Sequence, residues 1–122
     1  MKTTERLVFS FIIPAHDEES GIDTTIRCVR DSAGTAGIQY EVIVVDDGSA
    51  DRTGAVAASA GAQVVKTERC QIAGARNAGA AVARGDILVF VDADTLIDAA
   101  VVRAVVATIR HSSRSPHPCS RG

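Results

Sequence analysis

Tryptophan is absent from this 122-residue chain, and one tyrosine and three phenylalanines bring its aromatic share to 3%. The core must therefore be built mainly from Val, Ile, Leu and Ala, the residue types that fill buried positions. Cysteine is scarce too. Cys28, Cys70 and Cys119 are odd in number and far apart, with no C-x-x-C spacing and no His-x-x-x-His nearby. Neither a disulfide framework nor a zinc site is indicated, and free thiols point to a reducing compartment. Excess charge of one sign is also missing: the formal net charge of -2 gives no general electrostatic reason to bind nucleic acid. No apolar run approaches the ~18 residues of a membrane span. The opening Met1-Lys2-Thr3-Thr4-Glu5-Arg6 is too polar for a signal peptide. A cytoplasmic location is the expectation, with peripheral membrane association reserved for a full-length form.

Several nucleotide-binding signatures are missing as well. A dinucleotide-binding dehydrogenase needs G-x-G-x-x-G after the first strand, and Pro14-Ala15-His16 stands there instead. A nucleotidyltransferase would place a glycine-rich loop at the same spot. A phosphate-binding P-loop needs G-K-[ST], which does not occur.

What is present is a folded composition, with 46% hydrophobic and 23% charged residues. A chain of this length makes one domain and buries roughly two-thirds of its unfolded surface. Leu7 to Ile13 is an apolar stretch broken only by Ser10, and Pro14, lacking a donor, is expected to stop this first strand. The loop His16-Asp17-Glu18-Glu19 follows. Ser20-Gly21-Ile22-Asp23 has the S-x-x-D form of a capping box, so a helix is expected there. Ile22, Ile26, Val29 and Ala33 line one face of that helix, and Gly34 and Gly37 end it.

Glu41 to Val45 reads as a second strand, β-branched and continuous as in a parallel sheet covered on both faces. Asp46-Asp47-Gly48-Ser49 closes it, Gly48 permitting a tight turn and Ser49 available to cap an Ala-rich helix over 51–60. Ala62 to Lys66 is a short third strand. Cys70 to Ala83 favours a helix in spite of Gly74 and Gly79. Each of these glycines costs about 1 kcal/mol against Ala and so implies close approach of something to the backbone.

Ile87 to Val91 is a fourth strand ending in Asp92-Ala93-Asp94. In extended backbone, residues i and i+2 point the same way, so Asp92 and Asp94 can offer oxygens to one point that suits a hard divalent cation. Taken alone, such a pair is also ordinary turn chemistry, with Asp94 or Thr95 capping the next helix. Thr95-Leu96-Ile97-Asp98 has a capping-box form, and a last helix is expected from about Leu96 to Ile109. Residues 1–110 thus form one domain. The stretch 111–122, with two prolines, no acidic residue and no apolar periodicity, is expected to be a disordered tail.

Alternating strands and helices imply an α/β sandwich with a mostly parallel sheet of about four strands. Ligands in such sheets bind outside the carboxyl ends of the strands. Strand one ends in Asp17-Glu18-Glu19, strand two in Asp46-Asp47 and strand four in Asp92-Ala93-Asp94, so all three acidic clusters meet at one rim. That much negative charge needs a cation or hydrogen-bond donors to compensate it.

Four stretches together, Ile12-Ile13-Pro14-Ala15-His16-Asp17-Glu18-Glu19, Val44-Val45-Asp46-Asp47-Gly48-Ser49-Ala50-Asp51-Arg52-Thr53, Ala75-Arg76-Asn77-Ala78-Gly79 and Gly85 to Thr95, resemble the N-terminal half of a family 2 glycosyltransferase. The resemblance covers roughly residues 7 to 110. It implies a Rossmann-like GT-A three-layer sandwich, truncated here, that binds a UDP- or GDP-linked sugar with Mg²⁺ or Mn²⁺ and serves inverting transfer to an acceptor hydroxyl.

Carried over by position, the resemblance places Pro14, Ala15, Asp17 and Glu18 against the nucleoside, with Asp17 standing where the family usually has Asn. It sets Asp46 and Asp47 near base and ribose and Arg76 near base or diphosphate. Asp92 and Asp94 match the D-x-D metal site, Asp92 also meeting the donor nucleotide. The family's catalytic base is an Asp or Glu well downstream, expected here beyond residue 122. The chain is therefore expected to keep a donor-binding half with little or no transferase activity of its own, or to act as a non-catalytic nucleotide-sugar-binding fragment. The missing half of the sheet is expected to leave an open edge beside the fourth strand.

Overall fold

The computed structural model describes residues 7–69, 71–94 and 99–114. Four apolar segments form strands β1 (Val8–Ala15), β2 (Gln39–Asp47), β3 (Gln63–Thr67) and β4 (Ile87–Phe90), alternating with helices α1 (Ile22–Ala36), α2 (Thr53–Ser59), α3 (Gln71–Val82) and α4 (Ala99–Arg114). The strands make one sheet in the order β3-β2-β1-β4, and every pairing is parallel. All carboxyl ends therefore lie on one rim, as the α/β reading requires.

Strand alternation divides the interior into two cores. Phe9, Phe11, Ile13, Val42 and Val44 face α1, α2 and α4, joining Ile22, Ile26, Val29 and Ala33 of α1, Ala57 of α2 and Val102 and Val106 of α4. Ile12, Ile43 and Val45 face the other way, against Ala75 and Ala78 of α3. The four α1 positions expected to face inward are fully buried. In α4 the inward stripe is Val102, Val105, Val106 and Ile109, whereas Ala100 is exposed. Phe9 and Phe11 are buried in the larger core.

Several boundaries depart from expectation. Pro14 does not stop β1, which pairs with β2 through Pro14↔Val45 and Ala15↔Asp46. Pairing with β4 ends at Ile12↔Phe90, and Pro14, like Ile12, directs its backbone to the β4 side, where no paired strand remains, so its missing donor costs no ladder bond. Helix α1 begins without a side-chain cap; the Glu18 carbonyl accepts from Gly21 and Ile22 N–H instead. Gly34 lies inside α1, and Gly37, in left-handed conformation at φ 71°, ends it. Helix α2 starts at Thr53, where Asp51 Oδ1 accepts from the Thr53 N–H, and Ser49 serves another loop. Helix α4 runs to Arg114 and so takes in the first residues assigned by sequence to a tail; the expected Thr95–Asp98 capping box and residues 115–122 lie outside the described residues. Cys70 and Cys119 lie outside them as well, and Cys28 is a free thiol.

Among the described residues, helix α3 alone covers the second face. A Cβ on Gly79 would sit 3.0 Å from Val45 Cγ2 and closer still to Ile12, so only glycine lets α3 lie this near the sheet. Strand β4 forms one edge of the sheet, and on the α3 side its Leu88 and Phe90 are 40% and 43% exposed. Among the described residues no helix is long and apolar enough to cross a membrane.

Candidate functional site

The chain adds β2 and β3 to one side of β1 and then returns to add β4 on the other. The switch point between β1 and β4 is where a crevice at the carboxyl ends is expected. A cavity of about 560 Å³ opens at the end of β1, walled by Pro14, Ala15, His16 and Glu18, by Asp47 of β2, by Arg69 after β3, and by Ala73 and Ala75 of α3. That size suits a small-molecule ligand.

Asp47 is set into this wall by several contacts. It is 4% exposed; Thr67 Oγ1 donates to its Oδ1 at 2.7 Å, and Arg69 Nη1 lies 3.9 Å from its Oδ2. The Asp47 carbonyl lies 2.8 Å from His16 Nδ1. Asp46, one residue earlier, points to the opposite face of β2, as alternation demands. Its Oδ1 accepts from Ser49 N–H at 3.3 Å, and its Oδ2 lies so near Gly54 that a Cβ there would approach within 2.6 Å.

Behind the cavity, the β1–α1 and β2–α2 loops are stitched together by carboxylates accepting backbone N–H groups. Asp17 Oδ1 accepts from Ala50 at 2.7 Å, Asp51 Oδ2 from Glu19 at 3.2 Å and Glu19 Oε1 from Arg52 at 3.3 Å. Asp17 N–H donates to Ser49 Oγ, Glu18 N–H donates to the buried Thr53 Oγ1, and Thr53 Oγ1 in turn donates to Asp51. Asp17 holds a left-handed φ of 53°, which Asp tolerates better than most residues, and its Oδ2 lies 3.1 Å from His16 Nε2. The Asp51 carboxyl is held below its usual value chiefly by the Thr53 hydroxyl, against a small opposing effect of burial. Much of the acidic charge at this part of the rim is thus met by N–H and O–H donors.

Asp92 and Asp94 differ. Val91 and Ala93 are buried at 6% and 7% exposure, while the two aspartates between and after them are exposed. Both aspartates follow the carboxyl end of β4, on the same rim as the cavity but outside its lining, and both are open to solvent. Among the described residues no group of three His, Cys, Asp or Glu side chains is arranged to hold a metal ion. Two hard oxygen donors nevertheless fit Mg²⁺ or Mn²⁺, which commonly take one or two carboxylates and complete their shell with water and phosphate.

Of the residues named from sequence, the structure gathers Pro14, Ala15, Glu18 and Asp47 around the cavity. It uses Asp17 and Asp46 to hold the neighbouring loops, and leaves Asp92 and Asp94 exposed after β4, outside the lining. Arg76 is not in the lining; its guanidinium carbon lies 5.5 Å from the centre of the ring of Phe90, the last residue of β4. The basic residue in the wall is Arg69, which sequence reasoning missed along with His16, Ala73 and Ala75. Arg69 reaches the wall through an unusual φ of 26°, close against Gly48, whose own φ is 69°. No sequence pattern announces a left-handed arginine.

The model of the family described as glycosyl transferase family 2 matches residues 10–115. The chain belongs to this family. It is 36% identical over 100 residues to the amylovoran biosynthesis glycosyltransferase AmsB of Erwinia amylovora, covering 70% of this chain and 30% of that protein. It is 37% identical to a dolichyl-phosphate beta-glucosyltransferase of Drosophila melanogaster, covering 77% of this chain and 33% of the relative. The chain therefore spans about a third of the length of these curated relatives. Among solved structures, the glucosyl-3-phosphoglycerate synthase of Mycobacterium tuberculosis in complex with Mn²⁺, uridine diphosphate and glucosyl-3-phosphoglycerate superposes with a TM-score of 0.68 at 29% identity, covering 85% of this chain and 40% of that one. The same enzyme is also known with Mg²⁺ and uridine diphosphate, at a TM-score of 0.69 and 28% identity, again over 85% of this chain and 40% of that one.

Proposed function

We propose that this family 2 chain binds a nucleoside-diphosphate sugar, UDP- or GDP-linked, across the carboxyl rim of its sheet, with Mg²⁺ or Mn²⁺ held by Asp92 and Asp94. The observation that carries this reading is the cavity at the end of β1, walled by Asp47 and opening on the same rim as two exposed carboxylates. Pro14 and Ala15 offer an apolar wall for a base. Asp47, fixed by Thr67, can accept a hydrogen bond from a base N–H, and Arg69 brings positive charge to the mouth for a diphosphate. A structural relative binding Mn²⁺ and uridine diphosphate supports this class of ligand.

In the inverting transfer this site would serve, an acceptor hydroxyl attacks the anomeric carbon and the nucleoside diphosphate departs. When bound, the cation acts as a Lewis acid on that departing diphosphate. The acceptor hydroxyl must also lose its proton to a general base, which we assign to a carboxylate outside residues 1–122. Donor binding and turnover are therefore separate questions for this chain.

Calorimetry with UDP and with GDP, each with and without Mn²⁺, paired with a transfer or hydrolysis assay, tests both. Nucleotide binding strengthened by Mn²⁺ is the expected result. Binding without turnover favours a donor-binding fragment, and turnover favours an enzyme. Failure to bind either nucleotide in a metal-dependent way sinks the proposal.

A further inference from the structure

The geometry points to Thr25, on α1, as a positioning residue for the Asp92–Asp94 pair. Its side chain is 1% exposed, and its Oγ1 donates to the carbonyl oxygen of Ala93 at 2.5 Å, across 68 residues of sequence. The bland alternative for a helical threonine is to bond the carbonyl four residues back. Thr25 Oγ1 does lie 3.3 Å from the Gly21 carbonyl, but a hydroxyl has one hydrogen, and Ala93 is the nearer acceptor.

The consequence lies in what flanks Ala93. Strand β4 ends at Phe90, and Val91 N–H makes one more bond to the Ile12 carbonyl at 2.9 Å. Beyond that bond the backbone leaves the ladder, yet Ala93 remains buried in the larger core beside α1. Thr25 anchors its carbonyl there, so the residue between the two aspartates is pinned to the core while Asp92 and Asp94 stay exposed on either side of it. The hydroxyl thereby converts a chain leaving an edge strand into a fixed two-carboxylate display. This role rests on the assignment of Asp92 and Asp94 to a cation.

Two pairs of variants isolate the hydroxyl: Thr against T25V, of nearly equal shape, and T25S against T25A, which both lack the methyl. Mn²⁺ binding in the presence of UDP is read from the free-ion electron paramagnetic resonance signal. Amide hydrogen exchange at Val91–Asp94 is read without metal. T25V and T25A are expected to weaken Mn²⁺ binding about tenfold, on the scale of one lost buried hydrogen bond, and to speed exchange in that segment. T25S keeps both near wild type, and UDP binding without metal is unchanged throughout. Should T25V fail to fold, the T25S and T25A pair decides alone. Wild-type Mn²⁺ affinity and unchanged exchange in the variants lacking the hydroxyl would overturn the proposal. If the wild-type chain itself binds no Mn²⁺, the cation assignment falls, and unaltered exchange in T25V or T25A would show independently that Thr25 anchors nothing.

Discussion

The carboxylates at the end of β2 and those after β4 stand on one rim but are held in opposite ways. Asp46 and Asp47 are buried, on a central strand, and their oxygens meet Ser49 N–H, the Thr67 hydroxyl and the Arg69 guanidinium. Asp92 and Asp94 are exposed, follow a four-residue edge strand, and are positioned through the backbone of Ala93 between them. A buried carboxylate must carry its compensating donors within the fold, because desolvation is costly otherwise. An exposed pair is compensated by water until a cation arrives. The β2 side is therefore preformed, and the β4 side is available to a ligand.

This contrast can be broken at several points, beginning with the preformed side. G79V would drive a side chain into Ile12 and Val45 and lift α3, which carries part of the cavity wall; overpacking of this kind should cost about 2–3 kcal/mol in denaturant-unfolding measurements. D47A should destabilise the fold by about 1–2 kcal/mol, because it strips Thr67 Oγ1 of its partly buried acceptor. Calorimetry should show UDP binding falling with it. R76A should cost only about 0.5–1 kcal/mol of thermal stability, the scale of an exposed cation–π contact. Nucleotide affinity should be unchanged, since Arg76 lies against Phe90; a large loss of affinity would return Arg76 to the donor site.

Acid titration gives a smaller effect, far from the rim. Burial alone would raise the Glu41 carboxyl, but the Ser10 hydroxyl, at 2.5 Å, the Arg84 and Gly85 N–H groups and the Arg84 charge together hold it below its ordinary value of 4.5. A depressed folded-state value means that Glu41 contributes stability above its unfolded value and loses it as pH falls through the folded one. S10A should narrow that acid window in pH-dependent unfolding. The smallest effect is expected at the open side: the double variant D92N/D94N should change stability by no more than about 0.5 kcal/mol, as for surface substitutions generally. A loss like that of D47A would show the two pairs to be held alike.

Much of the fold was legible because its signals are local and repeated. The four apolar runs became strands, the Ile22, Ile26, Val29 and Ala33 spacing became the buried face of α1, and Gly79 proved to mark a close approach. The gathering of acidic loops at one rim followed once the sheet was parallel. What could not be read was how each side chain turns at the rim. Asp46 and Asp47 are neighbours with like chemistry, and only strand alternation decides that one faces α2 and the other the cavity. Arg76, on α3, had a motif around it but packs its guanidinium over Phe90 of the edge strand, whereas Arg69 had none and lines the wall through its positive φ. The Thr25 to Ala93 bond spans two segments that no local pattern connects. Pro14 stays within β1 because pairing on one side only, which makes a proline tolerable, is a property of the sheet and not of the local sequence.

The central claim is that an exposed carboxylate pair completes a preformed nucleotide cavity by way of a divalent cation. Calorimetric titration of UDP into the wild-type chain and into D92N/D94N, with and without Mn²⁺, tests it most directly. Mn²⁺ should strengthen UDP binding to the wild-type chain by tenfold or more, on the order of 1.4 kcal/mol, and leave the double variant unaffected. Equal strengthening in both proteins, or none in either, would contradict the claim.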